Sequence, residues 1–172
     1  MSIKKLLILA LIAAAAFYVF KVKGFNPFSS KVKGETVLNE LNGNTTTLDE
    51  LAGENGTLFF VMGTWCPHCV EEIQYTKALT DFLRLHKIRI LLSISGYTHD
   101  EIHNWVNKQD VPWDWKTIYW EDRFDKEFHI KESSVPYLTA INKKGEITFS
   151  KGGAFFSNTL SEVCLKLLKS NK

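Results

Sequence analysis

The sequence predicts an α/β domain, and three observations carry the prediction. The apolar run Leu58–Met62 reads as a buried strand, Val70–His86 as a helix, and Ile88–Ile94 as a second strand, an order that implies a parallel pair. Near the other end, Tyr137–Ile141 and Glu146–Ser150 flank Asn142-Lys143-Lys144-Gly145 and read as a hairpin. Leu160, Val163, Cys164, Leu167 and Leu168 then recur at helical spacing, so the last segment is an amphipathic helix that closes the domain.

Along the chain, Leu6–Phe20 is uncharged and apolar on all sides, with Lys4-Lys5 before it and Lys21 after it. This is an export or anchoring segment. Ile3 to Val22 reaches about 30 Å as a helix when the flanking lysines snorkel. Aromatic and apolar residues continue past the alanine run to Phe20, so residues 1–23 are read as an uncleaved anchor, with a cleaved signal peptide as the alternative. Residues 24–34 have no hydrophobic period and contain Asn26-Pro27 and Ser29-Ser30, a linker composition. The folded domain is placed at 35–172.

Within it, Thr36–Leu41 and Thr45–Leu48 flank the turn signal Asn42-Gly43, and Thr47-Leu48-Asp49-Glu50 has capping-box spacing for a short helix. Beyond Ile94, Thr98-His99-Asp100-Glu101 is a second capping box, opening a helix through Trp105 and Val106. Pro112 ends that unit before a strand around Lys116–Ile118, and Asp122–Phe128 suggests another short helix. The aromatic group Trp105, Trp113, Trp115, Tyr119, Trp120, Phe124 and Phe128 is expected to build core around this inserted strand and helix, the alternative being a partly exposed client-binding surface.

A chain of 172 residues with 45% hydrophobic composition supports one core rather than two. The formal charge of +2 includes six lysines within the first 33 residues, where there are no acids, which leaves −4 for the remainder. A mildly acidic domain without a binding motif lacks the electrostatic footprint of a nucleic-acid reader, so no nucleic-acid partner is expected.

The chemistry concentrates in Gly63-Thr64-Trp65-Cys66-Pro67-His68-Cys69, directly after the first strand. Cys66 falls at the start of a helix, where unpaired N–H groups and the dipole favour a thiolate. Val70 stands where haem attachment requires histidine, and a zinc site lacks its second ligand pair. His99 and His103 lie one turn apart with no third ligand in view, so no metal is expected. Cys164, on the apolar face of the last helix, is expected to be a buried, inert thiol.

Trp65-Cys66-Pro67-His68-Cys69 after a buried strand, Val135-Pro136 before a later strand, and the lysine–glycine hairpin with its terminal helix together resemble a thioredoxin-like thiol–disulfide oxidoreductase. The first hairpin and the inserted strand and helix resemble the membrane-anchored TlpA/ResA-type branch, over roughly residues 35–168. The resemblance implies a central mixed sheet flanked by helices. It makes Cys66 the exposed sulfur and Cys69 the resolving one, and it makes Pro136 cis, holding the Val135 backbone where an extended client can pair with it. The Pro67-His68 dipeptide matches strongly oxidising DsbA-type proteins, and a histidine that favours the Cys66 thiolate would make the disulfide more oxidising. Phe60 stands where thioredoxin carries a buried aspartate; Glu72, on the Cys69 face of the helix, matches an acid that assists the dithiol in TlpA/ResA-type proteins, the alternative being a solvated glutamate like Glu71. Trp65, Pro67, His68 and Glu72 are thus the residues expected to tune the pair.

The function expected is extracytoplasmic exchange of the Cys66–Cys69 dithiol with cysteines of client proteins, leaning to disulfide formation, with no cofactor beyond the redox-active pair. The alternatives are a TlpA/ResA-type reductase, as in cytochrome c maturation, and a non-catalytic binding module. The partners expected are client proteins with thiols or disulfides, a membrane redox protein for recycling, and the membrane itself. Protein disulfides belong to an oxidising compartment, which places the domain on the periplasmic or exterior side of a bacterial cytoplasmic membrane, or soluble in the periplasm after signal cleavage.

Overall fold

The computed structural model describes residues 31–130, 134–155 and 157–171. The anchor expected at 1–23 and the linker up to residue 30 lie outside them. No helix among the described residues is long and apolar enough to cross a membrane.

A two-stranded antiparallel hairpin, β1 (Val37–Asn39) and β2 (Thr45–Thr47), opens the described chain, with Gly43 at its tip at a φ of +87° that suits glycine. It leads directly into α1 (Leu48–Leu51), where the Glu50 carboxylate accepts from the Thr47 amide at 2.9 Å, as the capping-box spacing predicts. The main sheet has the order β5-β4-β3-β6-β7. Strands β3 (Thr57–Gly63), β4 (Arg89–Ser95) and β5 (Lys116–Tyr119) run parallel; β6 (Tyr137–Ile141) is antiparallel to β3, and β7 (Ile147–Gly152) to β6. The sheet is therefore mixed. All seven β3 residues are buried, as a central strand covered on both faces requires.

Alternation along β3 divides the core. Leu58, Phe60 and Met62 face a cluster built with α2 (Pro67–Lys77), α3 (Thr80–Leu85), α4 (His99–Lys108) and α6 (Ser157–Ser170). Phe59 and Val61 face the opposite cluster, with the hairpin, α1 and α5 (Phe124–Glu127). There Phe59 stacks on Phe128 at 3.9 Å between ring centroids.

Three expectations need correction. The helix predicted over Val70–His86 starts at Pro67 and divides at Ala78-Leu79 into α2 and α3. No proline or glycine causes the break; the Thr76 hydroxyl donates back to the Glu72 carbonyl at 2.8 Å, a bond that bends helices, and the Leu79 amide then donates to Thr76. Residues 31–34, assigned to the linker, are docked: Val32 is buried and its amide donates to the Gly145 carbonyl at 2.9 Å. The inserted aromatic group is only partly core, since Trp105, Trp115, Phe124 and Phe128 are buried while Trp113 is 89% exposed and Trp120 half-buried.

Candidate active site

Strand β3 ends at Gly63, level with Ser95 of β4, and the chain turns through Thr64 and Trp65 into α2 at the carboxyl end of the parallel strands, where open α/β sheets place their sites. Cys66 is the N-cap of α2, and Pro67 occupies the first turn, where its missing N–H leaves no bond unmade. The Cys66 amide donates to the Gly63 carbonyl at 3.1 Å, closing the turn, and the Cys66 sulfur accepts from the Cys69 amide at 3.1 Å. A helix N-terminal N–H thus points at the sulfur, the contact that stabilises developing negative charge there.

The two thiols are free and differ in surroundings. Cys66, expected to be the exposed sulfur, is itself buried at 7% exposure because it donates to the Val135 carbonyl at 3.5 Å, directly before the Val135–Pro136 bond, which is cis as the resemblance implies. Cys69 is fully buried, and its sulfur accepts from the Gly63 amide at 3.5 Å. Burial pushes the Cys69 thiol far above its ordinary range; the hydrogen bond with Cys66 and the charges of Cys66 and Glu72 add to this, and the Gly63 amide opposes it.

Glu72 is not the solvated glutamate of the alternative reading. It is completely buried beneath the dithiol, with Oε2 accepting from the Phe155 amide at 2.7 Å and Oε1 without a hydrogen-bond partner among the described residues. Burial pushes its carboxyl up to about 7, against the lowering effect of the Phe155 N–H. Phe60 is core, as its position in β3 dictates.

His68 departs from the role expected of it. Its ring is exposed and meets the Glu71 carboxylate, with Nδ1 to Oε2 at 3.0 Å, and no hydrogen bond joins it to Cys66 among the described residues. Trp65 is 53% exposed, its ring 5.9 Å from that of Tyr97. Beside the cis peptide lies a groove of about 180 Å³, lined by Val61, Trp65, Trp120, Asp125, Val135 and Tyr137 among others. His99 and His103 both meet Tyr119: one stacks on its ring at 4.2 Å, and Nε2 of the other lies 2.9 Å from its hydroxyl. Cys164 is buried and its thiol is pushed up to about 12 by burial, as expected of an inert group.

Sequence reasoning missed Phe155, Thr64 and Glu101. Phe155 carries no sequence signal, because its contribution is a backbone amide in the β7–α6 connection, 83 residues from Glu72. Glu101 does carry one, its place in the second capping box.

The chain resembles several solved structures. A thiol:disulfide interchange protein of the thioredoxin family from Chlorobium tepidum TLS superposes with a TM-score of 0.69 at 13% identity, covering 84% of this chain and 98% of that one. StoA from Bacillus subtilis gives 0.60 at 17% identity, over 74% and 94%. A secreted Mycobacterium tuberculosis disulfide oxidoreductase homologous to E. coli DsbE gives 0.60 at 10%, over 78% and 96%. Identities this low show the fold, which is thioredoxin-like. The chain matches no curated protein sequence. Residues 25–163 match the family model described as Redoxin, and the chain belongs to the Redoxin family.

Proposed function

We propose that the protein is a thiol–disulfide oxidoreductase that exchanges its Cys66–Cys69 pair with cysteines of client proteins outside the cytoplasm, in the direction of disulfide formation, a direction supported by the Cys69 N–H at the Cys66 sulfur, since favouring the Cys66 thiolate makes the disulfide more oxidising. The observation that carries this reading is the asymmetry of the pair: one sulfur, 7% exposed, meets the Val135 carbonyl where that residue lines a groove, and the other is fully buried near a carboxyl group pushed up to about 7 by burial.

With the pair oxidised, a client thiolate attacks the Cys66 sulfur. The Cys66–Cys69 bond breaks, a client–Cys66 mixed disulfide forms, and Cys69 departs with the electron pair. Its buried site disfavours the thiolate, so the departing sulfur needs a proton, and protonated Glu72 is the group placed to give it. A second client thiolate then attacks the client sulfur, releasing the client disulfide and the Cys66 thiolate. The client is oxidised by two electrons and the pair is reduced by two. The Val135 carbonyl offers the client backbone an acceptor, and the groove is large enough for one client side chain yet below the roughly 300 Å³ at which small-molecule sites begin.

A membrane redox protein would reoxidise the pair. The apolar segment Leu6–Phe20 between lysines supports a membrane anchor with the domain on the oxidising side. A second reading, client reduction of the TlpA/ResA type, is favoured by Glu72, because the same buried carboxylate in its ionised form can take the Cys69 proton for attack on a mixed disulfide.

Cys69→Ser should accumulate mixed disulfides at Cys66 in cells, resolved by diagonal electrophoresis; clients left uncrosslinked while Cys66 is intact would sink the exchange scheme. Activity that survives Cys66→Ala would mean a non-catalytic binding module. Equilibration with glutathione decides direction: a potential near about −120 mV means an oxidant and one near about −270 mV a reductant.

A further inference from the structure

Glu101 lies outside the dithiol motif, yet its carboxylate reaches the active-site turn. In an ordinary capping box, the N3 glutamate folds back onto the N-cap amide. Here only half of that pattern exists. The Thr98 hydroxyl accepts from the Glu101 amide at 3.1 Å, so the helix is capped, but the Glu101 carboxylate goes elsewhere. Oε1 accepts from the Thr64 hydroxyl, and Oε2 accepts from the Tyr97 amide at 3.0 Å.

Thr64 is two residues before Cys66. Its amide is already held by the Ser95 carbonyl at 3.0 Å, and a Cβ at Gly96 would meet the Thr64 side chain at 3.1 Å, so the turn and the β4–α4 junction lie in close contact. The ring contact between Trp65 and Tyr97 adds a second link between the same two segments. The turn that carries Cys66 is thus fastened on one side by β3 and on the other by the first turn of α4.

We propose that Glu101 is a positioning residue: through Thr64 it fixes the turn that sets the Cys66 sulfur against Cys69, making the inserted helix α4 part of the redox site. This rests on the reading that Cys66 and Cys69 form the reversible pair. A disulfide forms readily only when its two sulfurs are held at short range, so loosening one sulfur's backbone lowers their effective concentration toward each other.

The test is equilibration of the full chain with reduced and oxidised glutathione, comparing wild type with Glu101→Ala, Glu101→Gln, Thr64→Val and the double variant Glu101→Ala/Thr64→Val. Glu101→Ala and Thr64→Val should each lower the equilibrium constant for forming the Cys66–Cys69 disulfide about tenfold, equal to about 30 mV for this two-electron couple. The double variant should show no further loss, because both changes break the same link. Glu101→Gln should stay within about twofold of wild type, since the glutamine oxygen can accept from Tyr97 while its amide donates to a rotated Thr64 hydroxyl. An unchanged constant in Glu101→Ala, additive losses in the double variant, or a glutamine variant as impaired as alanine would each overturn the proposal, the last by pointing to charge instead of position. If Glu101→Ala fails to fold, Thr64→Val carries the test, and an unchanged constant there overturns it. A wild-type pair that does not equilibrate with glutathione at all would instead strike the proposed function.

Discussion

The two sides of the dithiol are built on opposite principles. On the Cys66 side the polar groups are satisfied from the backbone: the sulfur meets the Cys69 amide and the Val135 carbonyl, and the surroundings are exposed or half-buried aromatics with a groove between them. On the Cys69 side the chain buries a thiol and a carboxyl group together and, among the described residues, leaves one carboxyl oxygen without a partner and supplies the other with a single amide from a distant loop. One side is arranged for contact with another molecule and the other for holding a proton. A buried acid that is incompletely satisfied lowers stability, so its retention is explained by chemistry more readily than by packing.

The largest effect should come from removing the distinction at its source. Cys66→Ser should reduce exchange with any disulfide to background, whereas Cys69→Ser should still capture clients and stop there, as gel-shift and mass analysis would show; equal capture by both variants would erase the asymmetry. Next, Glu72→Gln should slow the step in which Cys69 leaves and gains its proton by about a hundredfold, which in the direction of disulfide formation is mixed-disulfide formation itself, with the later release of the client disulfide from Cys66 far less affected. The same variant should alter stability with the opposite sign. Glu72 has a folded-state pKa of about 7 against an ordinary 4.5, so between those values the native state holds a proton that the unfolded chain has released. Stability from this group is full below about pH 4.5 and falls as the pH rises through about 7, by about 3 kcal/mol in all. Urea unfolding of the wild type at about pH 5 and about pH 8 should reveal that loss, and Glu72→Gln should abolish it and be the more stable protein at the higher pH. A wild-type profile that is flat over this interval would show that Glu72 is not a buried titrating acid.

The sheet was legible because its signals are local. Leu58–Met62, Ile88–Ile94 and Tyr137–Ile141 are apolar runs bounded by polar turns, and burial on both faces demands that composition. The strand-to-helix position of Cys66 followed from the same runs. The division between α2 and α3 was not legible, because Thr76 bonding back to Glu72 leaves the apolar spacing unchanged. Glu72 was legible as a candidate only through the family resemblance; its burial depends on the β7–α6 connection folding over it, a contact that no period in the sequence records. His68 shows the converse case. The sequence placed it beside the sulfur, and Glu71, one helical turn away, offers its ring an exposed carboxylate instead.

Two smaller tests address the open side. Trp120→Ala removes one wall of the groove and should lower kcat/KM for a protein client about tenfold, while exchange with a small aliphatic disulfide, which needs no groove, stays within twofold. A uniform loss on both substrates would mean that the groove supports the fold rather than the client. The smallest effect belongs to His68. Its pairing with Glu71 is solvent-exposed on both sides, and pairs of that kind contribute about 0–1 kcal/mol. His68→Ala should therefore shift the glutathione equilibrium less than Glu101→Ala does, by no more than about threefold. A tenfold or larger shift would show that the ring leaves Glu71 and turns to the Cys66 thiolate when the pair reacts, and would move the tuning of this dithiol from the buried side to the open one.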